Sequence, residues 1–486
     1  MPAALHDLGA LEAAGLMADG DLTSVALVEH LLARITEREP ALHALIAVHP
    51  QALEQARAAD ARRSAGAPLS PLDGIPVVIK DNIEAVGLPA TVGSLALAGS
   101  PAERDASLVT RLRDAGMVIL AASNLSEWAN FRGQHSASGW SGVGGLTDNP
   151  WRAGRSAGGS SSGSGAALAA RYAPLAVGTE TDGSITCPAA LCGVVGIKPT
   201  VGTVPTDGVA PISASQDSPG PMGRSVADVE ALLAVLTGSE VPGVSAAHGR
   251  AGPGSDVVPP VRRYVLGAPA VWQTGDPETD GLFARTLGLI RAAGIAVVAI
   301  GLPDEDDQVG ADEVAVLVHE MSDDLDAYLA SRPGAAVASA AEVVAFNTAH
   351  PDAELAHYGQ EYFERAVASG GRAAPQYPGA RARNVAWAVD QVLAPAFAHG
   401  VDALIAPAYG PAWRSDLAGG DSFSGGRVTT APAIAGWPIL TLPIGVVGGL
   451  PVGVSLVGPE HGEDHLLEVG AVVEAAVGWS ERPPES

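Results

Sequence analysis

Two serine-rich, glycine-flanked turns sit in the run GGSSSGSGAALAARYAPLAVGTETDGSITCPAALCGVVGIKPT, from Gly158 to Thr200, with Ser160 and Ser184 24 positions apart. A serine hydroxyl becomes a nucleophile when a neighbouring base takes its proton. Glycine lets the backbone turn tightly and approach another group closely. The alanine-rich stretch Ala166 to Ala170 favours helix, so the first turn is expected at a helix N-terminus. Such a layout can aim several backbone N–H groups at one developing anion.

The base is sought among the cations. Of 28 lysines and arginines only two are lysine, Lys80 and Lys198. Arginine can serve as a surface cation but cannot deprotonate. Lys80 closes the apolar run IPVVIK and precedes Asp81 and Asn82. Burial at a strand end depresses a lysine pKa. A strand-end lysine can also simply snorkel to water; the scarcity of lysine elsewhere favours the base. Lys198, in GIKPT, reads as structural, a buried hydrogen-bond donor.

The elements that position these groups follow from pattern. LTSVALVEHLLARITERE has a helical apolar stripe, with Asp21 or Thr23 as cap, and QALEQARAADARRSAG reads as a helix ending at Gly66. Strands are expected at IPVVIK and MVILAA with the helix SLVTRLRDAG between them, then at RRYVLGAP, IAVVAIG, DALIAPAYG, ILTLPIGVV and PVGVSLVG. DGLFARTLGLIRAAG is a helix between the first two of that later set. This alternation predicts an α/β fold with a large mixed central sheet covered by helices on both faces. One domain is expected over 1–486: N-terminal helices over 1–70, a catalytic core over 75–235 with the serine-rich signature at 154–200, a helical insertion or cap over 310–400, and the C-terminal part of the sheet over 401–486. The Gly/Pro/Ser/Val-rich segment 239–261 reads as a surface loop. No repeat of fixed period is visible.

Composition narrows the function. The net charge is −26, which disfavours extended contact with nucleic acid phosphates and with anionic membranes. There is no run of 18 apolar residues. The N-terminus lacks the basic, apolar pattern of a secretory signal, and a cytoplasmic location is expected. Cys187 and Cys192 have no second pair or neighbouring histidines and read as small core residues rather than zinc ligands. No metal or cofactor is expected.

VIKDN, GGSSSG, TETDGSI and CGVVGIKPT together resemble the amidase signature family. LDGIPVVIKDNI, SNLSEWANFRG, SPGPMGRSVADV and ILTLPIGVVGGLPVGVSLVG extend the resemblance over most of the chain. NLSEWANFRG, SGWS, GTETDGSI, CPAA, ISASQDSPGPM and VVAFNTAH are similar to the bacterial peptide amidases within it, enzymes that hydrolyse the C-terminal carboxamide of peptides. The resemblance implies a Ser–Ser–Lys triad: nucleophile Ser184, bridging Ser160 on a cis Gly159–Ser160 peptide bond, and base Lys80. It also implies an oxyanion hole from the backbone N–H groups of Thr181, Asp182, Gly183 and Ser184, with the Asp182 carboxylate turned away. Glu180, Asp182 and Thr186 depart from the wider family's Asp-x-Gly-Gly-Ser-Ile-Arg pattern, which bears on substrate rules and leaves the triad intact.

For Lys80 to act it must be neutral. Lowering a lysine from about 10.4 to about 7.5 costs about 4 kcal/mol, within reach of burial. Ser161 either supports the triad by hydrogen bonding or caps the helix. Trp128, Phe131 and Trp140 either line an apolar substrate pocket or belong to the core. The expected partner is a small-molecule or peptide amide substrate, with the protein a monomer or homo-oligomer. Four rival readings remain: a nucleophile elbow in Gly159–Gly163 with Ser161 attacking, which needs a strand directly before it and a histidine; a flexible linker over 154–165; the amidase component of a tRNA-dependent amidotransferase; and an inactive scaffold. A small aryl or amino acid amide is the alternative substrate.

Overall fold

The computed structural model describes residues 4–241 and 264–484. Eleven strands form one mixed sheet: β1 (Leu45–Val48), β2 (Pro76–Lys80), β3 (Val118–Ser123), β4 (Leu175–Glu180), β5 (Val195–Lys198), β6 (Ser218–Gly223), β7 (Val265–Pro269), β8 (Ala296–Ile300), β9 (Ala403–Pro407), β10 (Ile439–Val447) and β11 (Leu450–Val457). Their spatial order is β1-β3-β2-β4-β6-β5-β10-β11-β9-β7-β8. Every residue of β2, β3, β4 and β11 is buried. Successive side chains on a strand point to opposite faces, so continuous burial means that both faces are covered, here by helices. The apolar runs that form β2, β3 and β11 are therefore buried on both sides rather than alternating.

The central register decides where the chemistry sits. β2 runs parallel to β3 and to β4, with Val77 opposite Ile119 and Leu175. Lys80, Ser123 and Glu180 thus end their strands on one edge, and the loops that follow β2, β3 and β4 converge there. Catalytic groups in open α/β sheets gather at such carboxyl edges.

Four strands of the sheet, β1, β4, β5 and β6, escaped the sequence reading. The N-terminal region is helical at Ala10–Asp19, Ser24–Leu42 and Ala52–Ser64, with Thr23 accepting the Ala26 N–H as a cap, but LIAV forms the edge strand β1, antiparallel to β3. β6, SPGPMG, pairs antiparallel with β4 along its whole length although it holds two prolines. Pro219 and Pro221 share one parity, so their missing N–H groups fall on one side of the strand. A Cβ at Gly220 would come within 2.1 Å of the Ile197 carbonyl oxygen, so the close approach of β5 requires glycine there.

Residues 307–397 are largely helical, beginning with Asp307–Ser331. Leu317, Met321, Leu325 and Phe363 from this region pack with Trp128, Phe131 and Leu97 in one apolar cluster above the convergent loops. The loop expected over 239–261 falls almost wholly on residues 242–263, outside the described residues. Among the described residues no helix is long and apolar enough to cross a membrane.

Candidate active site

Lys80 is fully buried at the end of β2. Its Nζ lies 2.8 Å from Ser160 Oγ, 2.8 Å from Thr179 Oγ1 and 3.2 Å from the Thr179 carbonyl oxygen, donating to all three. Asn82 Nδ2 donates to the same Thr179 hydroxyl at 3.0 Å. Desolvation pulls the Lys80 ammonium down to about 7, against the weaker pull of the Asp217 and Glu180 carboxylates. The lysine is thus split between its charged and neutral forms near neutral pH. Thr179 and Asn82 carry no role in the sequence reading. Both lie inside quoted words, GTETDGSI and VIKDN, and the parallel β2–β4 register is what sets Thr179 against Lys80 and Asn82.

The Ser160 turn contains a cis Gly159–Ser160 bond and opens the helix Ser162–Ala169. Its carbonyl accepts the Ser126 N–H at 3.1 Å, and the Gly163 N–H donates to Asn124 O at 2.9 Å, so the loop after β3 holds it from one side. A Cβ at Gly163 would meet Ala44 O at 2.2 Å, which explains glycine at this contact. Ser161 is fully buried; its hydroxyl donates to Thr179 O at 3.1 Å and accepts the Thr179 N–H at 3.2 Å, and its own N–H donates to Ser184 O at 3.1 Å. Ser161 therefore ties both serine turns to β4 and makes no side-chain cap bond to its helix. The nucleophile-elbow alternative loses its attacking hydroxyl to these bonds. A short strand, Arg152–Ser156, does precede the turn, paired with Asp148–Asn149 in a small separate ladder, so a missing strand is no objection to that alternative.

The second turn follows β4. Gly183 has φ +77°, a left-handed conformation that glycine adopts without cost, and a Cβ there would come within 2.5 Å of Tyr409 Oη. Glu180 Oε2 accepts the N–H groups of Ile185 at 2.6 Å and Thr186 at 2.8 Å, and Thr186 Oγ1 adds a bond at 3.0 Å. The carboxylate thereby closes the loop around Ser184 and caps the helix Thr186–Cys192. Among the described residues the N–H groups of Thr181, Asp182, Gly183 and Ser184 donate to no protein acceptor. Ser184 is 8% exposed and its hydroxyl makes no hydrogen bond among those residues, with Ser160 or otherwise. The contact chain thus runs from Lys80 to Ser160, and Ser184 stands apart on the cavity wall.

That cavity has a volume of about 240 Å³ and is walled by Thr181 to Ser184, Gly159, Asn130, Phe131, Ser138, Ile212, Glu313, Leu317, Tyr409, Trp413, Asp421 and Phe423, among others. Asp421 accepts from Ser138 Oγ at 2.5 Å and from Trp413 Nε1 at 3.1 Å, pinning one wall. Trp128, Ala129 and Asn130 all have positive φ, a conformation that costs an L-residue about 1–2 kcal/mol. This turn carries Ala129, Asn130 and Phe131 onto the wall. Phe131 stacks on Tyr362, with centroids 4.4 Å apart. Trp128 does not reach the cavity; it packs edge-on against Phe363. Trp140 is likewise core, against Tyr358 and the Arg132 guanidinium. Cys187 and Cys192 are free and buried, and Cys187 touches the cavity. The Asp182 side chain lies toward Thr429, and burial raises its carboxyl to about 7. Tyr409, Glu313 and Asp421 were invisible to the sequence reading because each comes from a distant element with no motif around it.

A family model described as amidase matches residues 26–467. The chain belongs to the amidase signature family. The protein is similar to native peptide amidase from Stenotrophomonas maltophilia, at 38% identity with a TM-score of 0.89 and 98% of each chain covered. A peptide amidase in complex with the competitive inhibitor chymostatin matches at 39% identity and a TM-score of 0.90, over 98% of this chain and 99% of that one. By sequence, the amidase is 36% identical to a glutamyl-tRNA(Gln) amidotransferase subunit from Symbiobacterium thermophilum, over 93% of each chain. It is 34% identical to a probable amidase of Arabidopsis thaliana, over 96% of this chain and 88% of that one. Among the described residues of this amidase no group of three histidine, cysteine or acidic side chains is placed to hold a metal ion.

Proposed function

We propose that the amidase hydrolyses the C-terminal carboxamide of peptides, releasing ammonia and a carboxylate through an acyl-enzyme on Ser184. The observation that carries this reading is the buried Lys80 Nζ, 2.8 Å from Ser160 Oγ, beside a turn whose four N–H groups have no protein acceptor and whose serine faces a cavity. Neutral Lys80 takes a proton from Ser160, and Ser160 takes one from Ser184 as substrate draws the two hydroxyls together. Ser184 Oγ attacks the carbonyl carbon, and the N–H groups of the 181–184 turn receive the developing oxyanion. Each such donor is worth about 3–4 kcal/mol in the transition state. The proton returns through Ser160 to the departing nitrogen, which leaves as ammonia. Water, deprotonated along the same path, then attacks the ester, and the carboxylate departs.

Peptide amide is preferred as substrate because the fold matches peptide amidases at 38–39% identity over nearly the whole chain, and the words NLSEWANFRG and GTETDGSI point the same way. The 36% match to an amidotransferase component favours a second reading, in which the chain works within a larger assembly. Ammonia release separates the two. The single purified chain is expected to hydrolyse amidated dipeptides and to leave glutamine untouched; glutaminase activity appearing only with a partner protein would reverse the preference.

A further inference from the structure

A second cavity, about 620 Å³, adjoins the catalytic one and shares Asp182, Glu313, Tyr409 and Phe423 with it. Its wall is acidic. Asp182, Glu305, Asp306, Asp307 and Glu313 line it, against one cation among the described residues, Arg427. Arg427 is itself paired with Asp304 at 2.7 Å. Asp306 is occupied at the N-terminus of the helix Asp307–Ser331, accepting the Gln308 and Val309 N–H groups at 3.0 Å each. Glu305 lies toward the Thr430 hydroxyl.

Asp182 and Glu313 differ from these. Glu313 is only 9% exposed, and its Oε1 accepts from Gln216 Nε2 at 3.0 Å. Its Oε2 accepts no hydrogen bond among the described residues, although the side chain borders both cavities. Asp182 lies toward Thr429, and its Oδ1 is sealed from solvent with no hydrogen-bond partner among the described residues. Lys198 and Arg381 act on these two carboxyls only through space. Two carboxyls with unpaired oxygens among the residues that wall both cavities, Glu313 buried and Asp182 half-buried, make an environment that favours a bound cation. A protonated amine has three donors and fits such a pair.

We propose that Asp182 and Glu313, with Glu305 behind them, form a subsite that selects amides whose acyl part carries a protonated amine, such as the free amino terminus of an amino acid amide or short peptide amide. This rests on the amidase reading above and adds a charge preference to it. Without a cation, burial holds both carboxyls above their ordinary range. An ammonium group between them favours their ionised forms, so binding of the amine releases a proton.

The test compares phenylalanine amide with N-acetylphenylalanine amide at about pH 7, where the α-amine of the first is mostly protonated. Wild type, Glu313→Gln and Glu305→Gln are assayed for ammonia release, with thermal melts as the folding control. The expected kcat/KM ratio is at least about tenfold in favour of the free amine, falling toward one in Glu313→Gln and partly in Glu305→Gln. Equal or faster hydrolysis of the acetylated amide by wild type overturns the subsite while leaving the amidase reading in place. A preference that survives both variants overturns the assignment to these residues. If wild type hydrolyses neither amide, the amidase reading fails, and calorimetry with the Ser184→Ala protein decides the subsite alone. Tighter binding of phenylalanine amide by about tenfold supports it, and equal binding overturns it.

Discussion

Lys80 and Lys198 are both fully buried, and burial lowers both ammonium groups, to about 7 and about 8. They end neighbouring parts of one sheet, β2 and β5, yet their surroundings differ in kind. Lys80 meets two hydroxyls and a carbonyl, one of those hydroxyls being Ser160. Lys198 donates to one carbonyl, Pro199 O at 3.3 Å, and feels the carboxylates of Glu180, Glu463 and Asp182. A hydroxyl can hand over a proton and take it back; a backbone carbonyl cannot. A lowered pKa therefore does not by itself identify a base. The partner does. Lys198 balances the acids that hold the nucleophile turn, since Glu180 is also the acceptor for Ile185 and Thr186.

The comparison breaks first if the hydroxyl side is wrong. Ser184→Ala is expected to lower kcat by roughly 10⁴-fold or more while the melting temperature stays within about a degree of wild type, since the serine is small and its hydroxyl makes no hydrogen bond among the described residues. A fluorophosphonate probe should label Ser184; label on Ser161 would place the nucleophile elsewhere, against the bonds that occupy the Ser161 hydroxyl.

Thr179→Val sharpens the Lys80 side. It removes the hydroxyl that accepts from Lys80 Nζ while keeping the β-branched shape suited to β4. Losing an acceptor for the charged form favours the neutral lysine, so the rising limb of kcat/KM should move down by about one pH unit. The looser placement of Lys80 should cost about tenfold at the plateau. A limb that does not move would mean Thr179 leaves the Lys80 titration untouched.

Lys198→Ala is the smaller perturbation of activity. It leaves a cavity at a fully buried position and takes a cation from among Glu180, Glu463 and Asp182. Its main effect is expected on stability, a fall of a few degrees in Tm, with kcat/KM reduced by less than about tenfold. A loss of activity as deep as that of Ser184→Ala in a protein that still folds would erase the distinction between the two lysines.

The reactive groups were legible because they lie in short, contiguous words: Lys80 in VIKDN, Ser160 in GGSSSG, Ser184 in TETDGSI. The long apolar strands β2, β3 and β7 to β11 were legible by the same logic. β6 was not, because its glycines and prolines answer to a neighbouring strand rather than to local preference; Gly220 is needed by Ile197 O, 23 residues upstream. β1 was hidden as four apolar residues between two strong helices. The substrate walls were least legible. Glu313, Tyr409 and Asp421 reach the cavity through tertiary packing, and the left-handed turn that presents Phe131 while withdrawing Trp128 has no glycine to announce it.

The central claim is that Lys80, and not Lys198, supplies the base. A pH–rate profile of wild type beside Lys80→Arg and Lys198→Ala tests it most directly. For wild type kcat/KM should rise with pH through about 7, the value to which burial lowers Lys80, because only the deprotonated amine accepts the serine proton. Lys198→Ala should keep that limb. Lys80→Arg should abolish it with most of the activity, since a guanidinium keeps its charge at every accessible pH. A folded Lys80→Arg protein with a near-normal rate and an intact limb would contradict the account.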